Sequence, residues 1–119
     1  MDNLSFVRIE YENISNSVVK VVYLQGKITA MNGIEINNKL KNLFEDNNYN
    51  VIVDISEIDY MDSKGMAMLL TLAKTIDQNQ GKLILSKPSA FVKELLDLTN
   101  LSSFFNIASD LASARNEFS

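Results

Sequence analysis

The sequence predicts an α/β fold in which a mostly parallel sheet of four to five strands carries about four helices. Continuous apolar runs at 51–55 and 82–86 are typical of strands buried on both faces. Segments with helical apolar spacing follow both runs, which favours parallel strands joined by right-handed crossovers. Near the N-terminus, two strand-like segments joined by a short polar link predict an antiparallel hairpin at the sheet edge. We expect a single domain over residues 1–119.

The hairpin is predicted from two segments, one with alternating apolar and polar residues and one that is mostly apolar. Residues 6–12 alternate apolar and polar side chains, as a half-buried edge strand does. Residues 13–17 are rich in turn formers, and the apolar segment 18–24 predicts the second strand. Gly26 interrupts that pattern, so we expect the strand to end before it.

A helical pattern begins at Gly33 and precedes the first interior strand. Its apolar residues recur at helical spacing and predict one buried stripe: Ile36, Leu40, Leu43 and Phe44. The polar cluster 46–50 is expected to end this helix, and the strand 51–55 follows.

The second half of the chain continues the alternation. A helix is predicted from Lys64 to about Asp77, with Gly81 as a left-handed terminator and a strand at 82–86. The core stripe of this helix comprises Met66, Leu69, Leu70, Ala73 and Ile76.

Three short elements complete the prediction. Pro88 suits the first turn of a third helix, which is expected to present Phe91, Leu95 and Leu98 on one side. A last strand is expected around 104–107 and a terminal helix at 110–115. The predicted order is β-β-α-β-α-β-α-β-α.

Composition excludes several classes of function. A formal net charge of −4 argues against binding to duplex nucleic acid or to anionic membranes. The chain has no Cys and no His, which removes disulfides, thiolate nucleophiles, imidazole bases and the usual zinc ligands. No apolar run approaches the roughly 20 residues that span a bilayer, and the first residues lack the features of a signal peptide. We expect a cytoplasmic protein without cofactor or metal.

The densest polar segment is 54–65, and we expect it to be a loop at the carboxyl end of a buried strand, where α/β proteins place ligands and partners. It concentrates four carboxylates and two hydroxyl groups: Asp54, Glu57, Asp59, Asp62, Ser56 and Ser63.

Three kinds of chemistry compete for this segment. A phosphoacceptor aspartate with Mg²⁺ needs a second acidic cluster, and the second strand ends in Leu24-Gln-Gly-Lys27 without one. A general acid/base pair of carboxylates has no substrate pocket defined beside it. The third candidate is the Ser63 hydroxyl as phosphoacceptor at a helix N-terminus, and its local competitor is a Ser63 that only caps the helix. A nucleotide-binding domain is disfavoured because no glycine-rich phosphate loop is present.

Three segments in the same order resemble the anti-sigma factor antagonists of the STAS domain family. The first is Leu24-Gln-Gly-Lys-Ile-Thr29, before the first helix. The strongest runs from Val51 to Met66 and contains the family's apolar strand followed by Met-Asp-Ser-x-Gly. The third runs from Pro88 to Leu101. Together they cover nearly the whole chain.

The resemblance implies a phosphorylation-controlled partner switch. In this family an anti-sigma factor with serine/threonine kinase activity binds the unmodified antagonist and phosphorylates it, and a metal-dependent Ser/Thr phosphatase reverses the modification. By position, Ser63 is the phosphoacceptor and Asp62 the acid beside it. The antagonist itself carries no catalysis. The alternative within the same family is a subunit of a lipid-transport or anion-transport assembly, in which Ser63 is only a cap.

We expect a set of residues around Ser63 to contact the partner, and two of them depart from the family pattern. Thr29 stands where the family usually has Asp, and Lys64 replaces a small residue beside the proposed phosphate. Asn100 replaces a Gly near the third helix, a mild change because Asn also tolerates the left-handed conformation. Met68 and Leu72 lie away from the core stripe and are expected to form an apolar docking patch if exposed. The expected partner-binding residues are Thr29, Asp62, Ser63, Lys64, Gly65, Met66, Met68 and Leu72.

Overall fold

The chain folds around a five-stranded mixed sheet, as the sequence predicts. The computed structural model describes residues 5–40 and 42–119, with side chains from Val7 onward. The strands lie in sequential order, β1 pairs antiparallel with β2, and the remaining pairs are parallel. Their bounds are β1 Ser5–Ile14, β2 Ser17–Ile28, β3 Asn50–Met61, β4 Lys82–Ser86 and β5 Asn106–Ala108. The helices are α1 Gly33–Leu40, α2 Ser63–Gln78, α3 Ala90–Leu98 and α4 Leu111–Asn116.

The predicted hairpin is confirmed and is tighter than expected. Only Ser15 and Asn16 separate its strands, and both have positive φ, 51° and 69°. This is the turn geometry that matches the natural twist of two antiparallel strands.

Helices cover the two faces of the sheet unequally. The larger core lies against α1, α2 and α3 and includes Val53 and Ile55 of β3, whereas Ile52 faces the smaller core beneath α4. Side chains alternate between faces along a strand, so both sides of β3 are buried and the prediction of an interior strand is confirmed.

Strands β2 and β3 are longer than predicted, and their ends position the candidate site. Gly26 does not end β2; it has φ 95° within a bulged stretch of the β2–β3 pairing, and the strand continues to Ile28. The polar segment 54–65 is not a loop, because β3 runs to Met61 with Ile58 and Met61 buried. One residue, Asp62, separates β3 from α2.

The C-terminal ends of α1 and α2 differ from the predictions. Helix α1 ends at Leu40, and Leu43 reaches the core from the following turn. Gln80, not Gly81, takes the left-handed conformation after α2, with φ 61°. Gly81 instead allows a close approach, because a Cβ there would overlap the backbone carbonyl of Tyr49.

Helix α3 begins later than predicted, and its most deeply buried residues are not the ones predicted. Ser89 is its N-cap, so Pro88 precedes the helix. The buried residues are Val92 and Leu96, and Leu98 is 76% exposed. The spacing of apolar residues predicted the helix correctly, and Phe91 and Leu95 pack partly buried against the main core. Of the three predicted residues, Leu98 alone is exposed. Asn100 has φ 59°, the left-handed conformation expected of it.

A buried cation ties the connection before β3 to the sheet. Lys20 of β2 is fully buried. Its ammonium donates to the carbonyl oxygens of Leu43 and Asn48, at 2.5 and 2.7 Å, and to Asp46 Oδ1 at 2.5 Å. These bonds hold the turn after α1 against the sheet.

Candidate functional site

Asp62 caps the N-terminus of α2. Its backbone is extended, with φ −97° and ψ −174°, and its Oδ1 accepts a hydrogen bond from the Gly65 backbone N–H at 2.9 Å. Ser63 is therefore the first residue of the helix and not its cap. The competing interpretation, in which Ser63 serves only as a cap, is wrong because the preceding carboxylate already performs that task.

The same carboxylate joins α2 to the end of β2. Asp62 Oδ2 accepts from the Ala30 backbone N–H at 3.1 Å, and the Asp62 N–H donates to the Ile28 carbonyl at 3.2 Å. Hydrogen bonds from the backbone N–H groups of Gly65 and Ala30 favour the ionised form, so the pKa of Asp62 lies below its ordinary value. Asp62 is thus an anion held between two elements.

Ser63 is exposed at this junction. Within the described part of the chain, its hydroxyl forms no hydrogen bond and the neighbouring Lys64 ammonium forms no ion pair. The hydroxyl therefore lies in solvent beside the positive end of a 16-residue helix. It is open to an enzyme that approaches from outside.

A compact turn at 29–32 connects β2 to α1 and lies beside Asp62. The Thr29 N–H donates to Asn32 Oδ1 at 2.9 Å, and Thr29 Oγ1 accepts from the Met31 N–H at 3.2 Å. Asn32 Nδ2 donates to the Lys27 carbonyl at 2.6 Å. Thr29 therefore uses its polar groups to shape the turn next to the site.

The apolar patch expected on α2 is not exposed. Met68 is 9% exposed, Leu72 packs partly buried against the main core, and Gly65 and Met66 are also buried. Helix α1 packs against α2. It covers the side of α2 that the spacing of apolar residues predicts to be exposed. The side chains of Met66 and Met68 are therefore core residues.

The exposed apolar side chains lie instead on the neighbouring turn and helix. Met31 is 80% exposed and Ile34 is 74% exposed. Between α1 and α2 runs a shallow groove of about 380 Å³, whose lining includes Ala30, Ile34, Asn37, Lys64, Ala67 and Thr71. Sequence reasoning missed Met31 because it lies in a turn, outside any periodic segment.

The acidic residues that precede Asp62 do not form one site. Asp54 is buried, and its Oδ1 accepts from the Ser56 hydroxyl at 2.6 Å. Asp59 pairs with Lys27 at 3.4 Å, near the surface. Across residues 5–40 and 42–119, no group of three or more acidic side chains is arranged to hold a metal ion. None of the described helices is long and apolar enough to cross a membrane.

Comparison with known proteins identifies relatives for the whole fold. Residues 9–114 match the family model of the STAS domain. The chain is 26% identical over 98 residues to the "Putative anti-sigma factor antagonist BtrV" of Bordetella bronchiseptica, covering 82% of this chain and 84% of that protein. It is 22% identical over 101 residues to an anti-sigma-B factor antagonist of Staphylococcus epidermidis, covering 85% and 94%.

Solved structures confirm the fold. An anti-sigma factor antagonist from Mycobacterium paratuberculosis superposes with a TM-score of 0.79 at 16% identity, covering 98% of this chain and 96% of the other. The phosphorylated form of the Bacillus protein SpoIIAA gives a TM-score of 0.68 at 18% identity, covering 94% and 100%. The order of elements and the mixed sheet are those of this class of structure.

Proposed function

The chain belongs to the STAS domain family, and we propose that it acts as a phosphorylation-controlled anti-sigma factor antagonist. In its unmodified form it binds an anti-sigma factor that has serine/threonine kinase activity, and it is released when that kinase phosphorylates Ser63. A metal-dependent Ser/Thr phosphatase restores the binding form.

The exposure of Ser63 is the observation that carries this proposal. The hydroxyl lies in the Asp-Ser-x-Gly sequence, in solvent and without a hydrogen-bond partner among the described residues. Because Asp62 caps α2, the helix does not need Ser63 for its own N-terminus. A kinase can therefore reach and modify this oxygen without unfolding the helix.

The proposed docking surface comprises Ala30, Met31, Ile34, Ser63, Lys64 and Ala67. It places two large exposed apolar side chains beside the phosphoacceptor. Burial of apolar side chains favours protein association, whereas a buried unpaired charge opposes it. Adding about −1.5 to −2 charges at Ser63 therefore disfavours docking through desolvation and through repulsion by Asp62.

Phosphate transfer to Ser63 is the first expected result. Incubation with the cognate kinase and ATP should add one phosphate, located at Ser63 by mass spectrometry. Ser63→Ala should retain partner binding and resist modification. Ser63→Asp places a negative charge in the docking surface and should weaken binding about tenfold, which corresponds to a loss of about 1.4 kcal/mol.

Ser103 supplies the matched control for these variants. It is an exposed serine in the short turn before β5, which is an edge strand, whereas Ser63 follows the central strand β3. Ser103→Asp adds the same charge there and should leave the affinity unchanged. Modification of a different serine, or equal weakening by both Asp variants, would refute the assignment of Ser63.

The apolar part of the docking surface gives a second expected result. Met31→Ser and Ile34→Ser should each weaken partner binding about tenfold, because burial of such a side chain contributes about 1.5–3 kcal/mol. Leu98→Ser on α3 is the matched control, since Leu98 is 76% exposed. Titration calorimetry with the purified partner should show affinity loss for the first two variants alone. Equal loss for all three would place docking elsewhere.

A further inference from the structure

We propose that Asp62 couples the phosphorylation state of Ser63 to the 29–32 turn: charge added at Ser63 weakens the hydrogen bond by which Asp62 holds Ala30. The regulatory meaning of this coupling rests on the proposed function. The coupling itself is a property of the isolated chain, and it is measurable without kinase or partner.

One carboxylate serves two elements at this junction. Asp62 Oδ1 accepts from Gly65 N–H in the first turn of α2, and Oδ2 accepts from Ala30 N–H in the turn after β2. The two bonds measure 2.9 and 3.1 Å. Their common acceptor must be ionised and correctly oriented to make both. Any group that rotates or repels this carboxylate acts on both elements at once.

A phosphate on Ser63 is such a group. It would lie on the residue next to Asp62, and its oxygens would compete for the N–H groups at the start of α2, which attract anions. The phosphate and the Asp62 carboxylate are both negative and lie on adjacent residues, so they also repel each other. Lys64 is exposed beside them and offsets part of the repulsion. The bond to Ala30 is the one expected to yield, because its donor lies in a separate turn, whereas the Gly65 N–H belongs to the helix that Asp62 caps.

Release of Ala30 would alter the surface that we assign to partner docking. Ala30 lies next to Met31 and contributes to the wall of the groove between α1 and α2. Ile34, the second residue of α1, lies on the same wall. Phosphorylation would thus act twice, by placing a charge in the interface and by loosening the apolar wall beside it.

Hydrogen exchange at the Ala30 amide tests the coupling. Three forms of the chain are compared by NMR: unmodified, with phosphoserine incorporated at position 63 during synthesis, and Asp62→Asn. Asn is as good an N-cap as Asp and keeps one oxygen for Gly65, but its amide group cannot serve both donors. Both altered forms should exchange Ala30 roughly threefold to tenfold faster than the unmodified chain, as expected when a local opening becomes easier.

The Val92 amide is the internal reference. It is held by Ser89 Oγ at 3.2 Å at the start of α3, a cap without carboxylate or phosphate. Its exchange should stay within about twofold in all forms. Unchanged exchange at Ala30 in the phosphoserine form overturns the coupling, and so does equal acceleration at Ala30 and Val92, which reports general destabilisation. Failure of the kinase to modify Ser63 would refute the proposed function and leave this measurement standing.

Discussion

Replacement of Lys20 by Met should lower the free energy of unfolding by about 3 kcal/mol. Met keeps most of the apolar length of the side chain and removes the ammonium, so the loss reports the three hydrogen bonds to Leu43, Asp46 and Asn48. The Leu43 carbonyl bond is buried, and a buried acceptor left without a donor costs about 1–3 kcal/mol. The lost ion pair adds less, because the Asp46 side chain that remains is 50% exposed and water can solvate its charge. Urea unfolding followed by circular dichroism measures the difference.

Lys27 provides the matched control. It pairs with Asp59 at 3.4 Å, but its side chain is 36% exposed and that of Asp59 is 68% exposed. A surface pair of this kind contributes about 0–1 kcal/mol. Lys27→Met should therefore unfold at nearly the same urea concentration as the unchanged chain. If the two Met variants unfold at the same urea concentration, the buried ammonium has no special role.

The pH dependence of this effect has a definite sign. The hydrogen bond from Lys20 and that from the Asn48 backbone N–H lower the pKa of Asp46 below its ordinary value. A carboxylate with a lowered folded-state pKa stabilises the fold above its unfolded pKa, and this contribution is lost as the pH falls through the folded-state pKa. The difference in free energy of unfolding between the unchanged chain and Lys20→Met should therefore become smaller as the pH is lowered through the folded-state pKa of Asp46. The same urea experiment, repeated at several pH values, measures it.

Lys20 also shows where sequence reasoning stops. The run Val18-Val-Lys-Val-Val22 predicts a strand, and the structure confirms one. Nothing in the run indicates that its lysine is buried, because the acceptors come from Leu43, Asp46 and Asn48, more than twenty residues later. Periodicity reports which face of an element is apolar. It does not report which distant carbonyl group will satisfy a buried charge.

The candidate site was predictable from the sequence to a similar extent. The Asp-Ser-x-Gly pattern and the helical spacing after it located Ser63 and the start of α2 within one residue. The polar residues of β3 predict a loop where the structure has a strand, because alternation of buried and exposed positions is hard to distinguish from a turn in so acidic a stretch. Met68 is buried in the structure, where α1 packs against α2. The apolar pattern of one helix does not predict which other helix will pack against it.

Gly65→Val should be the second strongly destabilising change, with a loss of about 3 kcal/mol or more. A Cβ at Gly65 would overlap the Ile28 carbonyl oxygen and lie 2.7 Å from Met61 Cγ. Extra atoms in a packed interior cost about 1–3 kcal/mol, and here one obstacle is backbone, which cannot rotate away. Helix α2 must move away from β2, which also breaks the bond from Asp62 N–H to the Ile28 carbonyl. Urea unfolding measures the loss.

Gly33 makes this result interpretable, because it is also a helical glycine yet a Cβ there meets nothing within 4 Å. Gly33→Val should remain within about 0.5 kcal/mol of the unchanged chain, since only intrinsic helix propensity changes. Gly65→Ala, with an expected loss of about 1–2 kcal/mol, keeps the comparison available if the Val variant does not fold. If the Gly65 variants lose stability and the Gly33 variant does not, the loss comes from the close approach of α2 to β2. The same approach brings Asp62 within hydrogen-bonding distance of Ala30. Equal stability of Gly65→Ala and Gly33→Ala would mean that this approach is not tight, and that the position of Ser63 depends on the Asp62 carboxylate alone.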